Sequence, residues 1–180
     1  MTRPTREELE HARDGTVPDV LRPGLRVVFC GINPGLYSAA VGHHFARPGN
    51  RFWKALHASG FTAELRTPQE ERALLREGLG ITNLVRRATA AASELEDEEL
   101  RAGARSLRRK VRRVGPRAVA VLGVTAYRAA FARPEAELGP QPESIAGALA
   151  WVLPNPSGLN AHHQLDDLTR RFADLRRALA

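Results

Sequence analysis

Residues 26–35, with the sequence RVVFCGINPG, decide the fold of this chain. The run from Val27 to Cys30 is apolar and rich in β-forming residues, which predicts a buried strand at about 25–30. Directly after it, Pro34 biases Asn33 towards an extended backbone, and the flanking glycines allow a ligand to approach the main chain. The stretch is either a plain strand-to-loop turn or a polar side chain placed where open α/β sheets bind ligands.

Helices and strands are predicted to alternate along the rest of the chain. Further strands are expected at 80–85, 117–123 and 149–153, and helices follow each of them. A long loop is expected at 36–49, Asn50 is a candidate N-cap for the next helix, and capping boxes are expected at 67–70 and 93–96. This alternation predicts an α/β fold, three-layer α/β/α with a four-stranded mostly parallel sheet.

Length and composition place the chain among globular proteins. At 180 residues it is expected to form a single domain at 21–180, preceded by a loose or partly helical arm at 1–20. The net charge is +7, and every basic residue except Lys54 and Lys110 is arginine. Arginine suits phosphate contacts, so a polyanionic partner is plausible, although genome composition also produces arginine bias.

Cysteine and histidine usage argues against disulfides, metals and cofactors. Cys30 is the single cysteine and lies inside an apolar run, which is typical of an interior thiol. The adjacent pairs His43-His44 and His162-His163 lack the spacing of helix-borne metal ligands. The sequence contains no secretory or membrane-spanning stretch, so a cytoplasmic protein with no membrane partner, acting as a monomer, is expected.

Asn-Pro dipeptides follow the first and the last predicted strand. They are Asn33-Pro34 and Asn155-Pro156, each with a glycine within two residues after the proline. Because the carboxyl ends of parallel strands meet at one edge of a sheet, we expect the two dipeptides to form two walls of one pocket. The glycine-rich nucleotide loops and the serine nucleophile elbow of other α/β enzymes are absent.

Three segments in this order resemble the mismatch-specific uracil/thymine DNA glycosylase branch of the uracil-DNA glycosylase superfamily. They are residues 31–35 (GINPG), 50–53 (NRFW) and 155–159 (NPSGL), and the similarity runs from about Leu21 to the final helix. The resemblance implies hydrolysis of the N-glycosidic bond of uracil, and less efficiently of thymine, in double-stranded DNA containing G·U or G·T mismatches. It implies base flipping and initiation of base excision repair.

The resemblance also implies roles for individual residues. Asn33 would position the attacking water, and backbone N–H groups near Ile32 and Phe45 would stabilise the departing base. Phe45 would stack on the base, although a lone phenylalanine is more often a core residue. Further substrate-binding candidates are Asn155, where stricter members carry histidine, Ser38, and Gly35, which would leave room for a 5-methyl group or serve only its backbone angles.

The segment 157–160 is the candidate DNA contact. Leu159 follows Ser157-Gly158 and is suited to fill the gap left by a flipped base, although it could also cap the hydrophobic face of the last helix. Relatives often continue with Ser-Arg, whereas this chain continues with Asn160-Ala161, so the arginine that would contact the opposite guanine is missing. Asn160 or the following histidines are the possible substitutes.

Other interpretations remain open at this point. Glu94 or Asp97 could assist the water, because a neutral amide is a poor base, but helix capping also explains both carboxylates. Asn83 stands where some relatives carry lysine. The alternative functions are a small nucleoside or phospho-metabolite hydrolase, for which an exposed Leu159 would have no use, and a DNA-binding module without activity, for which Asn33 would have none.

Overall fold

The computed structural model describes residues 2–180 and contains one five-stranded sheet. Its strand order is β2-β1-β3-β5-β4, with the first four strands parallel. These four strands are β1 (Val27–Gly31), β2 (Leu79–Asn83), β3 (Ala118–Leu122) and β5 (Leu149–Leu153). The predicted α/β class and the four parallel strands are confirmed.

The fifth strand, β4, was not predicted. It covers only Gly139–Pro140 and pairs antiparallel with β5 at the edge of the sheet. Two residues are too short to show an alternating apolar pattern, and proline is tolerated only at sheet edges. The segment therefore appears in the sequence as a proline-rich linker.

Helices cover both faces of the sheet and complete the three layers. In chain order they are α1 (Arg6–His11), α2 (Leu36–Val41), α3 (Phe52–Ala58), α4 (Asp97–Val114), α5 (Val124–Phe131) and α6 (Leu165–Ala178), with 3₁₀ helices at Pro68–Glu77 and Ala92–Glu94. On one face Phe29 of β1 contacts Phe52 of α3 and stacks on Phe172 of α6 with ring centroids 5.7 Å apart. On the other face α4 and α5 cover Cys30 and the inner residues of β3.

The long loop expected at 36–49 is partly wrong, because α2 occupies its first half. Gly35 precedes α2 with an extended backbone and no capping side chain, and Gly42 ends it in the left-handed conformation. A six-residue helix without a side-chain cap offers little sequence signal. The N-cap of α3 is Arg51, one residue after the expected Asn50, although the Asn50 Oδ1 does accept from the Phe52 N–H at 2.9 Å.

One of the two expected capping boxes forms where it was predicted. Thr67 and Glu70 form it, although the helix that follows is 3₁₀ rather than α. The box expected at 93–96 is wrong. Glu94 instead accepts from the Ala91 N–H, and α4 begins three residues later, with Glu99 reaching back to the N–H of residue 96.

The amino-terminal segment is less loose than expected. A capping box at Thr5 begins α1, and Val17 and Val20 are buried against the domain. Val20 forms a β-bridge with Ile81 of β2. Burial of the apolar side chains of Val17 and Val20 favours the docking of this segment on the sheet. The division of the chain at residue 20 stays a prediction. Within residues 2–180, no helix combines the length and the apolar character needed to cross a membrane.

Candidate active site

A cavity of about 340 Å³ opens at the carboxyl ends of the parallel strands. Both Asn-Pro turns line it, as the strand topology predicted. The sequence-predicted residues that line it are Ile32, Asn33, Gly35, Ser38, Phe45, Asn155, Ser157, Leu159 and Asn160. Gly158 does not line the cavity; it is exposed and lies beside Gly49.

Asn33 is held in one orientation by two acceptors. Its Nδ2 donates to the Arg87 carbonyl oxygen at 3.0 Å and to the Thr89 Oγ1 at 2.8 Å. The Thr89 hydroxyl donates its own proton to the Ala91 carbonyl oxygen at 2.8 Å, so it can only accept from Asn33. Both partners therefore require the amino group of the amide, which leaves the Asn33 Oδ1 without a hydrogen bond inside residues 2–180.

The loop that fixes Asn33 is itself braced. Arg87 forms a bidentate pair with Glu99 of α4, with Nε–Oε1 and Nη2–Oε2 distances of 2.6 and 3.0 Å. This guanidinium holds the pKa of the Glu99 carboxyl at about 2. The Thr89 N–H donates to the Pro34 carbonyl oxygen at 3.2 Å, which joins the loop to the Asn33 turn. Sequence reasoning missed Thr89 and Arg87, since a threonine or a carbonyl in a loop carries no motif.

The two candidate carboxylates do not reach the cavity. Glu94 accepts from Arg13 Nη1 and from the Ala91 N–H, both at 2.7 Å, and these contacts lower the pKa of its carboxyl. Asp97 is exposed in the first turn of α4 and does not line the cavity. Asn33 is therefore the residue of the three that faces a ligand.

Phe45 forms one wall of the cavity in a strained backbone conformation. Its φ of 52° lies in the left-handed region, which non-glycine residues adopt rarely and often at functional sites. One face of its ring stacks on Phe52 with centroids 4.1 Å apart, and the residue remains partly exposed towards the cavity. A Cβ at Gly31 would lie 3.4 Å from the Phe45 ring, so glycine there permits the close approach.

A second amide, from Asn83, faces the cavity at the end of β2. His44 is buried, which lowers the pKa of its imidazole, and its Nε2 lies 2.9 Å from the Pro18 carbonyl oxygen. The neutral ring therefore carries its proton on Nε2, and Nδ1 accepts from Asn83 Nδ2 at 3.4 Å. The Asn83 Oδ1 then lies beside Gly31, so close that a Cβ added to this glycine would be 2.5 Å from it.

Backbone donors at two cavity residues are uncommitted. Within the described part of the chain, neither the Ile32 N–H nor the Phe45 N–H donates to a protein acceptor. Ser38 is buried, and its Oγ accepts from the Ala46 N–H at 3.1 Å, which fixes the backbone next to Phe45. The cavity thus combines an acceptor on Asn33, free backbone donors and an aromatic wall.

The loop after β5 presents Leu159 to solvent. The residue is 70% exposed, which excludes the alternative that it caps the hydrophobic face of the last helix. Asn155 Oδ1 accepts from the Ser157 N–H at 3.0 Å, and Ser157 Oγ accepts from the Leu159 N–H at 3.3 Å. A Cβ at Gly158 would lie 2.8 Å from the Gly49 carbonyl oxygen, so this glycine is required for packing.

Arg51 holds the same loop from inside. Its Nη1 donates to the carbonyl oxygens of Ser157, Asn160 and His163 at 3.0 to 3.3 Å, and its backbone N–H donates to Pro156. The Asn160 amide is also used locally, since Nδ2 donates to the Asn155 carbonyl oxygen at 3.0 Å. The loop is therefore a compact turn whose exposed apolar tip is Leu159.

Residues 18–179, nine-tenths of the chain, match the model of the Uracil DNA glycosylase superfamily. The chain belongs to this superfamily. Its members are hydrolases that act on glycosyl bonds, so the uracil-DNA glycosylase superfamily resemblance seen in the sequence is confirmed at this level.

One solved structure has the same fold as this chain. It is the solution NMR structure of a "putative Uracil DNA glycosylase" from Methanosarcina acetivorans, with 21% sequence identity and a TM-score of 0.61. The match covers 91% of this chain and 97% of the other. At this identity the likeness concerns the fold, and the site roles rest on the contacts described above.

Within residues 2–180 no group of three or more histidine, cysteine or carboxylate side chains is placed to hold an ion. The polar groups that line the cavity are neutral amides, hydroxyls, backbone N–H groups and the His44 ring, and Arg47 is an exposed cation among the lining residues. This set is suited to orienting a neutral nucleophile and stabilising an anion.

Proposed function

We propose that this superfamily member is a monofunctional uracil-DNA glycosylase of the mismatch-specific uracil/thymine branch. It would remove uracil, and less efficiently thymine or other 5-substituted uracils, from mismatched double-stranded DNA and so initiate base excision repair. The observation that carries the proposal is Asn33, whose amide is fixed by Arg87 and Thr89 so that Oδ1 faces the cavity. An oxygen held in this way is an acceptor for a water molecule.

The target nucleotide must leave the duplex before its glycosidic bond can be reached. The exposed Leu159 supports this step, because an apolar tip can enter the base stack and fill the space of the flipped base. Mismatched bases cost less to extrude, which favours G·U and G·T sites over paired ones. A small-molecule hydrolase would have no use for a leucine exposed beside the cavity.

Hydrolysis would then proceed with Asn33 orienting the water. The water oxygen bonds to C1′ of the deoxyribose as the C1′–N1 bond breaks, and the electron pair of that bond remains on the departing uracil anion. The water proton passes to solvent, because a neutral amide is too weak a base to keep it. The free N–H groups of Ile32 and Phe45 are suited to stabilise the anion.

Base selection would rest on Asn83, Phe45 and Gly35. Uracil offers an N3–H donor, whereas cytosine offers an N3 acceptor, so an acceptor at Asn83 Oδ1 favours uracil. Phe45 supplies the stacking surface. Gly35 has an ordinary φ of −74°, and no heavy atom lies within 4 Å of a Cβ placed there, which supports open space for a 5-methyl group rather than a need for glycine's backbone freedom.

The opposite strand would be contacted without the arginine that relatives carry after the leucine. The Asn160 side chain is engaged within its own loop, and His163 Nδ1 lies 2.6 Å from Asp167. Arg47 is exposed at the cavity rim and forms no ion pair within residues 2–180. Because Arg47 lines the same cavity as Leu159, it is a candidate to contact a phosphate or the opposite base, and the exposed His162 stays a second candidate.

The test is single-turnover excision from duplexes containing G·U, A·U or G·T and from single-stranded uracil, read by alkaline cleavage at abasic sites. We expect abasic sites in the order G·U, then G·T, with none formed by Asn33→Ala at matched times. Absence of abasic sites from every uracil substrate, with the duplex still bound, would favour the non-catalytic DNA-binding alternative.

A further inference from the structure

A group of exposed arginines lies at the end of the sheet away from the cavity. Arg112 and Arg113 are exposed in the last turn of α4 and form no ion pair within residues 2–180. Cations at a helix carboxyl terminus complement the helix dipole, which explains part of this pair. The dipole explains nothing about arginines on other segments that meet the same place.

Three segments come together there, each directly before a parallel strand. The Gly24 N–H donates to the Val114 carbonyl oxygen at 2.8 Å, which joins the segment before β1 to the end of α4. The Arg26 N–H donates to Gly78 at 2.7 Å, and the Arg117 N–H donates to Leu25 at 3.2 Å. The segments before β1, β2 and β3 therefore form one continuous surface.

We name this surface the amino-edge arginine surface. Its six exposed arginines are Arg22, Arg26, Arg76, Arg112, Arg113 and Arg117. Neighbouring strands lie about 4.8 Å apart, so three adjacent strands spread these residues over about 10 Å or more, a width that spans several backbone phosphates.

Two of these arginines are partly ordered by neutral contacts. Arg22 Nε donates to the Leu75 carbonyl oxygen at 2.9 Å, which brings it beside Arg76. The stem of Arg26 lies over Gly78, where an added Cβ would be 3.1 Å from the Arg26 Cδ. These contacts position the guanidinium groups without neutralising them.

Carboxylates close by along the chain are already paired with other cations. Asp19 Oδ2 lies 2.8 Å from Lys110 Nζ, and Glu77 Oε1 lies 2.8 Å from Arg66 Nη2. None of the six arginines forms an ion pair with any carboxylate of residues 2–180. The surface thus keeps uncompensated positive charge, unlike Arg101 and Arg105, which both pair with Glu98.

The surface and the cavity lie at opposite ends of the same strands. The cavity is lined by residues after β1, β2 and β5, whereas the six arginines precede β1, β2 and β3. Five-residue strands separate the two ends by about 16 Å before the loops are added. A straight duplex that lies across the carboxyl edge of the sheet therefore does not reach this surface.

We propose that the amino-edge arginine surface binds the phosphate backbone of a second segment of duplex DNA while the cavity engages the first. Arginine forks match phosphate oxygens, and duplex DNA presents one negative charge per about 1.7 Å of axis. The choice of DNA rather than an acidic protein rests on the proposed function, since the same molecule already uses DNA at its cavity. A second contact would let the protein pass between DNA segments during its search for lesions.

The experiment compares the wild type with a variant carrying Arg26→Gln, Arg112→Gln, Arg113→Gln and Arg117→Gln. The matched control carries Arg6→Gln, Arg101→Gln, Arg105→Gln and Arg133→Gln, which removes the same net charge from exposed arginines that are paired with carboxylates. Undamaged duplex on beads is incubated with protein and a second, fluorescent undamaged duplex, and the retained fluorescence measures bridging. Excision of G·U is measured separately.

We expect wild type and control to bridge the duplexes, and the neutralised variant to lose bridging by about ten-fold or more. The logarithmic salt dependence should fall by about 0.9 for each phosphate contact removed. Normal G·U excision by the variant would show an intact fold and cavity. Equal loss in the control, unchanged bridging in the variant, or displacement by polyglutamate with no DNA bridging would each overturn the proposal. Bridging without excision would overturn the proposed function alone.

Discussion

The two Asn-Pro turns have the same dipeptide and lie at the same edge of the sheet, but their asparagine amides bind different kinds of partner. At Asn33 the amino group is bound to Arg87 and Thr89, and Oδ1 is left facing the cavity. At Asn155 the Oδ1 is consumed by the Ser157 N–H within its own loop. The first turn presents an acceptor to a ligand, and the second uses its acceptor to shape a loop.

The difference arises from what lies beside each turn. The Asn33 turn meets the Thr89 loop, which supplies two fixed acceptors from another strand connection. Within residues 2–180 no acceptor from another segment binds the Asn155 amino group, and its Oδ1 accepts from the Ser157 N–H of the same loop. Arg51 binds the carbonyl oxygens of Ser157 and Asn160 in that loop, not the Asn155 amide. Identical dipeptides therefore acquire different chemistry from residues distant in sequence.

The largest expected effect separates the two asparagines directly. Asn33→Ala should lower single-turnover uracil excision by about 10³-fold or more, because the water loses its orienting acceptor. Asn155→Ala should cost about ten-fold or less, since its Oδ1 acts on the loop. Duplex affinity is the control and should change little in Asn33→Ala. Near-equal losses of excision would contradict the different uses of the two amides.

The second largest expected effect concerns the open space at Gly35, beside the Asn33 turn. Gly35→Tyr should lower G·T and 5-substituted uracil excision by about 100-fold relative to G·U, because the ring would occupy the place of a 5-methyl group. Gly35→Ala is the matched control and should keep all activities, since its Cβ meets no atom within 4 Å. An equal loss on every substrate in Gly35→Tyr would mean that the turn itself was damaged.

Thr89 tests whether orientation of the Asn33 amide matters. Thr89→Val keeps the shape of the side chain but removes the hydroxyl that accepts from Asn33 Nδ2, so the amide gains rotational freedom. We expect the maximal single-turnover rate to fall by about ten-fold with unchanged duplex affinity. Thr89→Ser should restore the rate, because it restores the acceptor. A rate loss that serine does not rescue would indicate a packing role instead.

Leu159, in the loop after β5, is tested by the rate at which the abasic duplex is released. Leu159→Ala should speed release of the abasic duplex by several-fold, because unstacking costs a few kcal/mol that the leucine offsets. Single-stranded uracil provides the internal control, since no stack is opened there, and its excision should be unchanged. Unchanged release from the duplex product would remove Leu159 from the proposed flipping step.

Sequence patterns predicted the parts of this molecule that are local. Apolar runs gave the four parallel strands, and the parallel topology placed both Asn-Pro turns at one cavity. The helix at 36–41 and the two-residue β4 have too few residues to show a period. Thr89 and His44 act through contacts with residues far along the chain, so no spacing in the sequence could reveal them.

A third amide, Asn83 at the end of β2, extends the comparison because its orienting partner, His44, can be protonated. Burial lowers the pKa of His44 below 6.5, so the unfolded chain binds this proton more readily than the folded one. The stabilising contribution of neutral His44 is therefore complete above about pH 6.5 and is lost as the pH falls through the lowered value, by at most about 1.4 kcal/mol per pH unit. Urea unfolding between pH 5 and 8 measures this slope.

His44→Gln is the comparison variant, because it cannot titrate, and its free energy of unfolding should lack that part of the acid dependence. Protonation would also turn Nδ1 into a donor facing the Asn83 amino group, which forces the amide to rotate and withdraws its oxygen from the cavity. Uracil excision by the wild type should then decline more steeply than in the variant as the pH falls through the lowered pKa of His44. If the pH dependence of uracil excision were identical in the wild type and His44→Gln, the orientation of Asn83 would not depend on the charge of His44.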